Sequence, residues 1–307
     1  MTNLPNPSRL HLARLFVVAI GAAFTALACT GPEPLGDLQG GGASGTRGLG
    51  TQSPNPGGGT NLNLNPYGSG AGSIASTGTG GAGGDCQNQV IAVIRDFRGW
   101  DSSDTDPGGA ATKHPDFEPA VKTAEKGIAA ATLGSDLKPV FGNTAGIQTV
   151  TSADTFSQWY RDTDGVNMRF EIPLPLTPDP LVVGGLAYDN QKFFPIDNQG
   201  FGNQGQTHNY SFTTEIHTTF VYKGGEVFKF VGDDDVFVYV NNQLAIDLGG
   251  IQNAQTGTVD FDAQAAQFGI TKGQTYNMDI FHAERHVTES HFRMETKFDC
   301  LVPIVIP

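Results

Sequence analysis

Positive charge is scarce in this sequence. The 307 residues include 18 Lys and Arg against 31 Asp and Glu, which gives a formal net charge of −13 at pH 7. Nucleic acids and anionic lipid surfaces bind proteins through basic residues that displace their counterions. The composition therefore excludes nucleic acid as a partner, and it is compatible with cation binding and with solubility outside the cell.

Signatures of catalysis are also missing. The sequence has no Gly-x-Ser-x-Gly nucleophile elbow and no phosphate-binding loop. Its Asp and Glu residues could in principle supply a glycosidase pair, but no spacing singles one out. The sequence therefore favours binding over catalysis.

Long apolar runs are absent except near the N-terminus. The apolar residues 15–27 follow a basic start and precede a small-x-small motif, so residues 1–28 are predicted to be a secretory signal peptide. No stretch reaches the ~20 apolar residues that cross a bilayer. Cys29 follows the predicted cleavage site, which is typical of an acylated bacterial lipoprotein; simple secretion is the alternative. We expect an exported outer-membrane or cell-surface lipoprotein, attached to the membrane only through Cys29, or otherwise a secreted protein.

Cysteine is rare as well. The chain has only two others, Cys86 and Cys300, at the two ends of the region richest in apolar residues. In an oxidising compartment a disulfide between them would join the ends of one domain, and it could contribute ~4–5 kcal/mol of stability. The alternative is two unpaired buried thiols.

Composition divides the remaining chain into two parts. Residues 29–85 are rich in Gly, Pro, Ser and Asn and have few large apolar side chains. Such a segment cannot bury enough surface to offset its chain entropy, so we expect a disordered tether. Residues 86–307 are predicted to form one domain.

Short apolar and β-branched runs recur through this domain. The clearest predicted strands are residues 90–97, 166–172, 209–222, 226–231, 236–240, 244–248, 258–261, 275–282 and 290–298. Gly-containing turns separate many of them, which indicates an antiparallel β-sandwich of the jelly-roll kind. Helical patterns are confined to residues 117–130, 153–160 and 263–268. The predicted fold class is therefore all-β with a few short helices, and residues 226–231 and 236–240 are predicted to pair as a hairpin.

Three consecutive acids interrupt the predicted strands. Asp233, Asp234 and Asp235 stand between Val231-Gly232 and the apolar run 236–240. Carboxylates rarely enter an interior unless they are paired or hold a metal. We therefore expect the three acids to face outward at a strand end and to converge on a cation or a polar ligand.

Two groups of polar residues alternate along predicted strands. Glu215 and His217 share one face of their strand, and His282, Glu284 and His286 share one face of another. If the two faces were adjacent, these residues could form a zinc or other transition-metal site. The alternative is a structural network of hydrogen bonds and ion pairs.

Several motifs together resemble the fibro-slime domain family of secreted and surface proteins. They lie at residues 114–118 (HPDFE), 156–166 (FSQWYRDTDGV), 193–205 (FFPIDNQGFGNQG), 212–220 (FTTEIHTTF), 230–250 and 281–292 (FHAERHVTESHF). A wider likeness is to the protective-antigen-type β-sandwich, which commonly serves carbohydrate binding. In adhesins of that superfamily an Asp pair binds calcium, and calcium binds sugar hydroxyls. The resemblance carries this role to Asp233 and Asp234.

This sequence departs from the superfamily pattern at two positions. Asp235 stands where Gly is common, and Asn241 stands where Asp is common. We include Asp235 among the metal ligands and Asn241 among the ligand-binding residues. Phe201, flanked by two glycines, is the aromatic residue that we most expect to be exposed for stacking on a sugar.

The sequence thus predicts an exported cell-surface protein that binds extracellular polysaccharide or another glycan without catalysis, or mediates adhesion. The Asp-rich loop is the predicted contact, with calcium as the candidate cofactor. The alternatives are a structural component of slime or extracellular matrix that acts by protein–protein contacts, and an accessory module of polysaccharide degradation.

Overall fold

The computed structural model describes residues 86–99, 113–142 and 146–306. The predicted signal peptide, Cys29 and the predicted tether lie outside these residues. In chain order the elements are β1 (Gln89–Phe97), α1 (Ala153–Ser157), β2 (Asn167–Pro175), β3 (Thr177–Pro178), β4 (Leu186–Asn190), β5 (Phe212–Tyr222), β6 (Val227–Gly232), β7 (Asp235–Val240), β8 (Gln243–Leu248), β9 (Gln255–Asp260), α2 (Phe261–Phe268), β10 (Gln274–Glu284), β11 (Phe292–Thr296) and β12 (Leu301–Ile304). None of the helices found there is long and apolar enough to cross a membrane.

Two antiparallel sheets form the fold. The seven-stranded sheet has the order β2-β1-β5-β10-β7-β8, and β12 pairs with β5 as well. The five-stranded sheet has the order β3-β4-β11-β6-β9. The predicted all-β sandwich is therefore confirmed.

One hydrophobic core lies between the two sheets. From the seven-stranded sheet, Val238 and Ile280 point into this core, and from the five-stranded sheet Phe230 and Phe292 meet them. All four side chains are almost completely buried. This arrangement follows from the period-2 alternation of the strands, which sends every second side chain to the same face.

The other face of the seven-stranded sheet is covered too. Phe156 and Trp159, from the segment between β1 and β2, belong to a second apolar cluster with Phe237 and Phe281 of this sheet. The sheet is therefore buried on both faces. As a result, polar residues of the central strands, such as Glu215, His217 and Asp279, do not reach solvent, although the sequence pattern alone suggests that they would.

Two predictions about secondary structure are wrong. Residues 117–130 are not helical: Glu118 and Gly127 have positive φ angles of 52° and 83°, and Ala124 bridges to Gly250. Their apolar side chains pack on the outer face of the sheet without helical periodicity. The predicted hairpin of β6 and β7 also does not form, because β6 lies in the five-stranded sheet and β7 in the seven-stranded sheet.

The two ends of the described domain meet at one end of the sandwich. Cys86 and Cys300 form the predicted disulfide, with their Cα atoms 5.0 Å apart. Leu301 pairs with Phe220 near the C-terminal end of β5, whereas Glu284 pairs with Phe212 at the opposite end of that strand. Eight residues of strand separate these positions, which corresponds to about 26 Å at ~3.3 Å per residue. The disulfide and the acidic segment thus lie at opposite ends.

Candidate functional site

The acidic segment is where the chain crosses between the sheets. Asp233 and Asp234 connect the last residue of β6 to the first residue of β7, and a cis peptide bond joins them. A second crossover, from β10 to β11, lies beside it. Asp233 links the two crossovers, because its Oδ1 accepts a hydrogen bond from the backbone N–H of His291 at 2.5 Å. The candidate site is built around this junction.

The predicted outward-facing row of three acids is corrected by the structure. Asp233 and Asp234 are only 3% and 4% exposed, and Asp235 is completely buried. The side chain of Asp235 points to the covered outer face of the sheet. There its Oδ2 accepts a hydrogen bond from Arg285 Nε at 2.7 Å, and its Oδ1 accepts one from Gly250 N at 2.5 Å.

Arg285 is the reason that Asp235 cannot serve as an open ligand. Its guanidinium is fully buried, donates to the carbonyl oxygens of Asp116 and Thr149, and lies 4.5 Å from the ring centroid of Trp159. Burial raises the pKa of Asp235, and the adjacent Arg285 charge opposes this shift. A buried pair of this kind is a structural element.

Asp234 differs from Asp235 in its hydrogen-bond partners, which are backbone groups and not a side-chain cation. Its oxygens accept hydrogen bonds from two backbone N–H groups, those of Gln252 and Arg285, each at 3.1 Å. Burial raises the pKa of Asp234 well above its usual range, and the negative charge of Asp235 adds to this effect. Arg285 opposes the shift. No side-chain cation of the described residues contacts the Asp234 carboxylate directly.

Glu284 adds a third carboxylate at this end. It is completely buried, and its Oε2 has no hydrogen-bond partner among the residues that the structure describes. Ala283 of β10 pairs with Asp235 of β7, and the two strands are antiparallel. Glu284, the next residue of β10, therefore lies beside Asp234, the residue before Asp235. Burial raises the pKa of Glu284 well above its usual value, and the charges of Asp234 and Asp233 raise it further. Such an unsatisfied buried carboxylate calls for a proton or a cation.

A concavity opens beside the Asp pair. It has a volume of about 190 Å³, and its walls include Asp233, Asp234, Ile251, Gln252, Asn253, Lys122, His286 and Thr288. Lys122 Nζ lies 3.2 Å from Glu118 Oε2 and 2.9 Å from His286 Nδ1, and His286 is itself part of the wall. The wall therefore combines carboxylates, amides and a hydroxyl, which are groups that bind cations and polyols, with a lysine and a histidine.

Asn241 does not belong to this site. It forms the two-residue turn between β7 and β8 with Asn242, and both residues have positive φ angles, 47° and 65°. Its Nδ2 donates to the carbonyl oxygen of Phe268 at 2.8 Å. Asn241 lies seven residues along the strand from Asp234, a distance of about 23 Å at ~3.3 Å per residue. Asn241 therefore lies away from the Asp-rich loop, because the strand runs away from that loop, and its role in ligand binding stays a prediction.

Phe201 is half-buried and does not face this concavity. Its ring lies 4.5 Å from the Arg98 guanidinium, measured to the ring centroid. Its backbone N–H donates to Asp96 Oδ2 at 2.5 Å, which fixes the loop that carries it. The structure thus gives Phe201 a cation–π contact, and its role in stacking on a sugar stays a prediction.

The two groups of polar strand residues lie on opposite faces of the seven-stranded sheet. Glu215 and His217 point to the covered outer face, whereas His282 and Glu284 point to the core between the sheets, as the β5–β10 register requires. The condition for a shared zinc site is therefore not met. His286 lies beyond the strand and contacts Glu118 at 2.8 Å.

Glu215 and His217 form a buried charged network instead. His217 lies 2.6 Å from Glu215 on one side and 2.6 Å from Asp279 on the other. Arg95 and Lys138 also contact the Glu215 carboxylate, at 2.5 and 2.6 Å. Burial by itself would raise the pKa of Glu215, but the hydrogen bond from His217 and the neighbouring positive charges outweigh it and lower the pKa to about 2.

Sequence reasoning missed three residues of the site region. Arg285, Glu289 and His291 converge on the acidic segment only because the β10–β11 connection runs beside it. The motif FHAERHVTESHF contains all three, but no spacing rule relates them to residues 233–235. Only the pairing of β10 with β7 brings the two segments together.

A family model described as the PA14 domain matches residues 164–300 of the chain. This range contains the acidic segment, both sheet crossovers and most strands of the two sheets. The chain is thus similar to the PA14 domain over most of the described residues. The finer resemblance to the fibro-slime family stays a prediction.

Curated relatives are found in Dictyostelium discoideum. The chain is 37% identical to protein psiQ over 206 residues and 37% identical to protein psiR over 207 residues. Each alignment covers 62% of this chain and 20% of the relative. The chain therefore spans about a fifth of the length of these two relatives.

Solved structures give weaker likenesses. The PA14 sugar-binding domain from an RTX adhesin is 8% identical, with a TM-score of 0.29, and the match covers 71% of this chain and 95% of that one. The PA14 domain of the MpAFP antifreeze protein is 10% identical, with a TM-score of 0.27, and the match covers 75% and 92% of the two chains.

Proposed function

We propose that this chain is a non-catalytic carbohydrate-binding or adhesion module that is exported to the cell surface. The observation that carries the proposal is the pair of carboxylates, Asp233 and Asp234, that line a 190 Å³ concavity at one end of a rigid sandwich. The match to the PA14 domain supports it, because that domain is a carbohydrate-binding and adhesion module.

Calcium suits the donor set of this concavity. Ca²⁺ takes six to eight oxygen ligands from carboxylates, carbonyls and water. Asp233 and Asp234 would hold the ion, and the buried Oε2 of Glu284, which has no hydrogen-bond partner among the described residues, lies at the same end of the sandwich. Bound calcium would supply a centre on which vicinal hydroxyl groups of a sugar can ligate. Asp235 is excluded from the ligand set, because its carboxylate forms a buried ion pair with Arg285 and does not line the concavity.

The chain's own groups would orient the sugar. Gln252 and Asn253 carry side-chain amides at the wall, and Thr288 carries a hydroxyl, so they can exchange hydrogen bonds with ligand hydroxyls. Asp233 and Asp234 are held by backbone N–H donors, so the two carboxylates are in place before a ligand arrives. This preorganisation lowers the entropy that binding must overcome.

The position of the site suits display from a surface. The disulfide joins Cys86, at the start of the described domain, to Cys300. This disulfide and the acidic segment lie at opposite ends of β5. We extend the proposal to a lipid on Cys29, which lies outside the described residues. This part of the proposal includes the predicted lipid anchor and the outer-membrane or surface location.

A glycan array tests the proposal. The purified chain with an intact disulfide would be screened in calcium and then in excess chelator. We expect array signals that calcium supports and that Asp234→Asn abolishes. Asp164→Asn removes an equal charge at an exposed position and serves as the matched control. Absence of any glycan signal would overturn the proposal.

A structural matrix component is the second candidate. Leu181 and Val183 are 82% and 85% exposed on the loop between β3 and β4, and neighbouring side chains leave them uncovered. Exposed apolar residues of this kind serve protein–protein contacts. Self-association that Leu181→Ser and Val183→Ser together abolish, with an empty glycan array, would favour this function.

A further inference from the structure

Three side chains of different types converge at the crossover junction. Asp233 Oδ2, Glu289 Oε2 and His291 Nδ1 all lie within 4.8 Å of one another. His291 Nδ1 lies 3.0 Å from Asp233 Oδ2 and 3.9 Å from Glu289 Oε2. The residues come from two separate crossovers, so their convergence is produced by the fold and not by a local sequence motif.

This set of donors is chemically distinct from an all-oxygen calcium site. Imidazole nitrogen is a ligand of zinc and other transition metals, whereas calcium takes oxygen ligands. A tetrahedral zinc ion with bonds of about 2.0–2.1 Å holds its ligand atoms roughly 3.3–3.5 Å apart. The two His291 distances, 3.0 and 3.9 Å, lie on either side of that value.

The site is partly preorganised. The backbone N–H of His291 donates to Asp233 Oδ1, and His282 Nε2 donates to the Asp233 carbonyl oxygen at 2.6 Å. Asp233 is therefore fixed with Oδ2 directed to the His291 ring. The Glu289 side chain is 66% exposed and can adjust to the ion. Three protein ligands leave the fourth position of a tetrahedral ion open.

We propose that Asp233, Glu289 and His291 form a binding site for a divalent transition metal of the zinc class, with one position open to water or to a donor from a ligand. The site goes beyond the proposed carbohydrate-binding function, because it uses a nitrogen donor and does not require Asp234. Without a metal, His291 Nδ1 stays within contact distance of both carboxylates.

Zinc titration of the purified chain, with its disulfide intact, tests the proposal. Zinc chloride would be added in competition with a chelating dye, and cobalt(II) would be added in parallel as a spectroscopic probe. We expect one zinc per chain, and cobalt absorption of tetrahedral intensity. We expect His291→Asn to weaken zinc binding by about tenfold or more, as for loss of a metal ligand.

Controls separate the site from adventitious binding and from unfolding. His208→Asn removes another partly exposed histidine and leaves zinc affinity unchanged. Glu289→Gln changes a side chain that is 66% exposed, so it reports on the site even if His291→Asn fails to fold. Equal zinc affinity in wild type and Glu289→Gln together with octahedral cobalt absorption would overturn the proposal, as would the absence of stoichiometric binding.

The same variants distinguish this inference from the proposed function. Asp234→Asn is expected to lose glycan binding and to keep zinc binding. Glycan binding without zinc binding would defeat the metal proposal alone. Zinc binding without glycan binding would defeat the carbohydrate proposal alone.

Discussion

Arg285 Nε lies 2.7 Å from Asp235 Oδ2, and both side chains are completely buried. The pair anchors the covered outer face of the seven-stranded sheet next to the candidate site. It also separates three adjacent aspartates into two roles: Asp233 and Asp234 line the concavity, whereas Asp235 holds the fold together.

Breaking this pair should destabilise the protein strongly. Asp235→Ala leaves the Arg285 charge buried without its partner, and we expect a loss of ~3–5 kcal/mol in the free energy of unfolding. Urea denaturation measures the change. Asp299→Ala is the matched control, since its pair with Lys223 is well exposed and should contribute under ~1 kcal/mol. Equal effects of the two variants would show that the buried pair is not structural.

The Glu215 network should make the free energy of unfolding fall at low pH. The folded-state pKa of Glu215, about 2, lies below the ordinary glutamate value of 4.5. Its contribution is therefore complete above pH 4.5 and is lost as the pH falls through 2; the shift corresponds to roughly 3 kcal/mol. We expect the difference in unfolding free energy between wild type and Glu215→Gln to shrink across this range. A difference that is constant with pH would contradict the account.

Asp96 should give the opposite dependence. Burial raises the pKa of Asp96 from 3.8 to about 6, although Asn209 and Phe201 donate hydrogen bonds to it. The stabilising effect of protonation is complete below pH 3.8 and is lost as the pH rises through 6. Relative to Asp96→Asn, the wild type should therefore lose up to roughly 3 kcal/mol between pH 4 and pH 7. Urea denaturation of both proteins at several pH values checks the slope, which must be opposite in sign to that of the Glu215 pair.

Asn241 should matter for stability and not for ligand binding. Asn241→Ala places an alanine, which has no hydrogen-bonding side chain, at a φ angle of 47°. It also removes the hydrogen bond to the carbonyl oxygen of Phe268. We expect a loss of about 1–2 kcal/mol in the free energy of unfolding. Affinity for any glycan found by the array should be unchanged. A large loss of affinity with unchanged stability would restore Asn241 to the binding site.

The strand pattern predicted most of the fold. The alternation in residues 209–222 and the apolar run 90–97 correspond to β5 and β1, and the predicted disulfide is present. The short strands β3, β4 and β12 were missed, because two to five residues carry too little periodicity to be recognised. The assignment of β6 and β7 to different sheets was missed because a polar turn between two apolar runs is as typical of a hairpin as of a crossover.

The candidate site was only partly predictable. Asp233 and Asp234 were identified from an acidic run beside an apolar strand, and both line the concavity. Burial of Asp235 was not foreseen, because the sequence does not show that a loop segment covers the outer face of the sheet. The partners Arg285 and His291 depend on long-range strand pairing, which residue spacing alone does not reveal.

The most direct test of the central claim is a calorimetric titration of the strongest array glycan into wild type, Asp234→Asn and Asp164→Asn, each in calcium and in excess chelator. The account predicts that wild type and Asp164→Asn bind with equal affinity in calcium, and that chelator or Asp234→Asn weakens binding about tenfold or more. Equal affinity of all three proteins, with or without calcium, would contradict it.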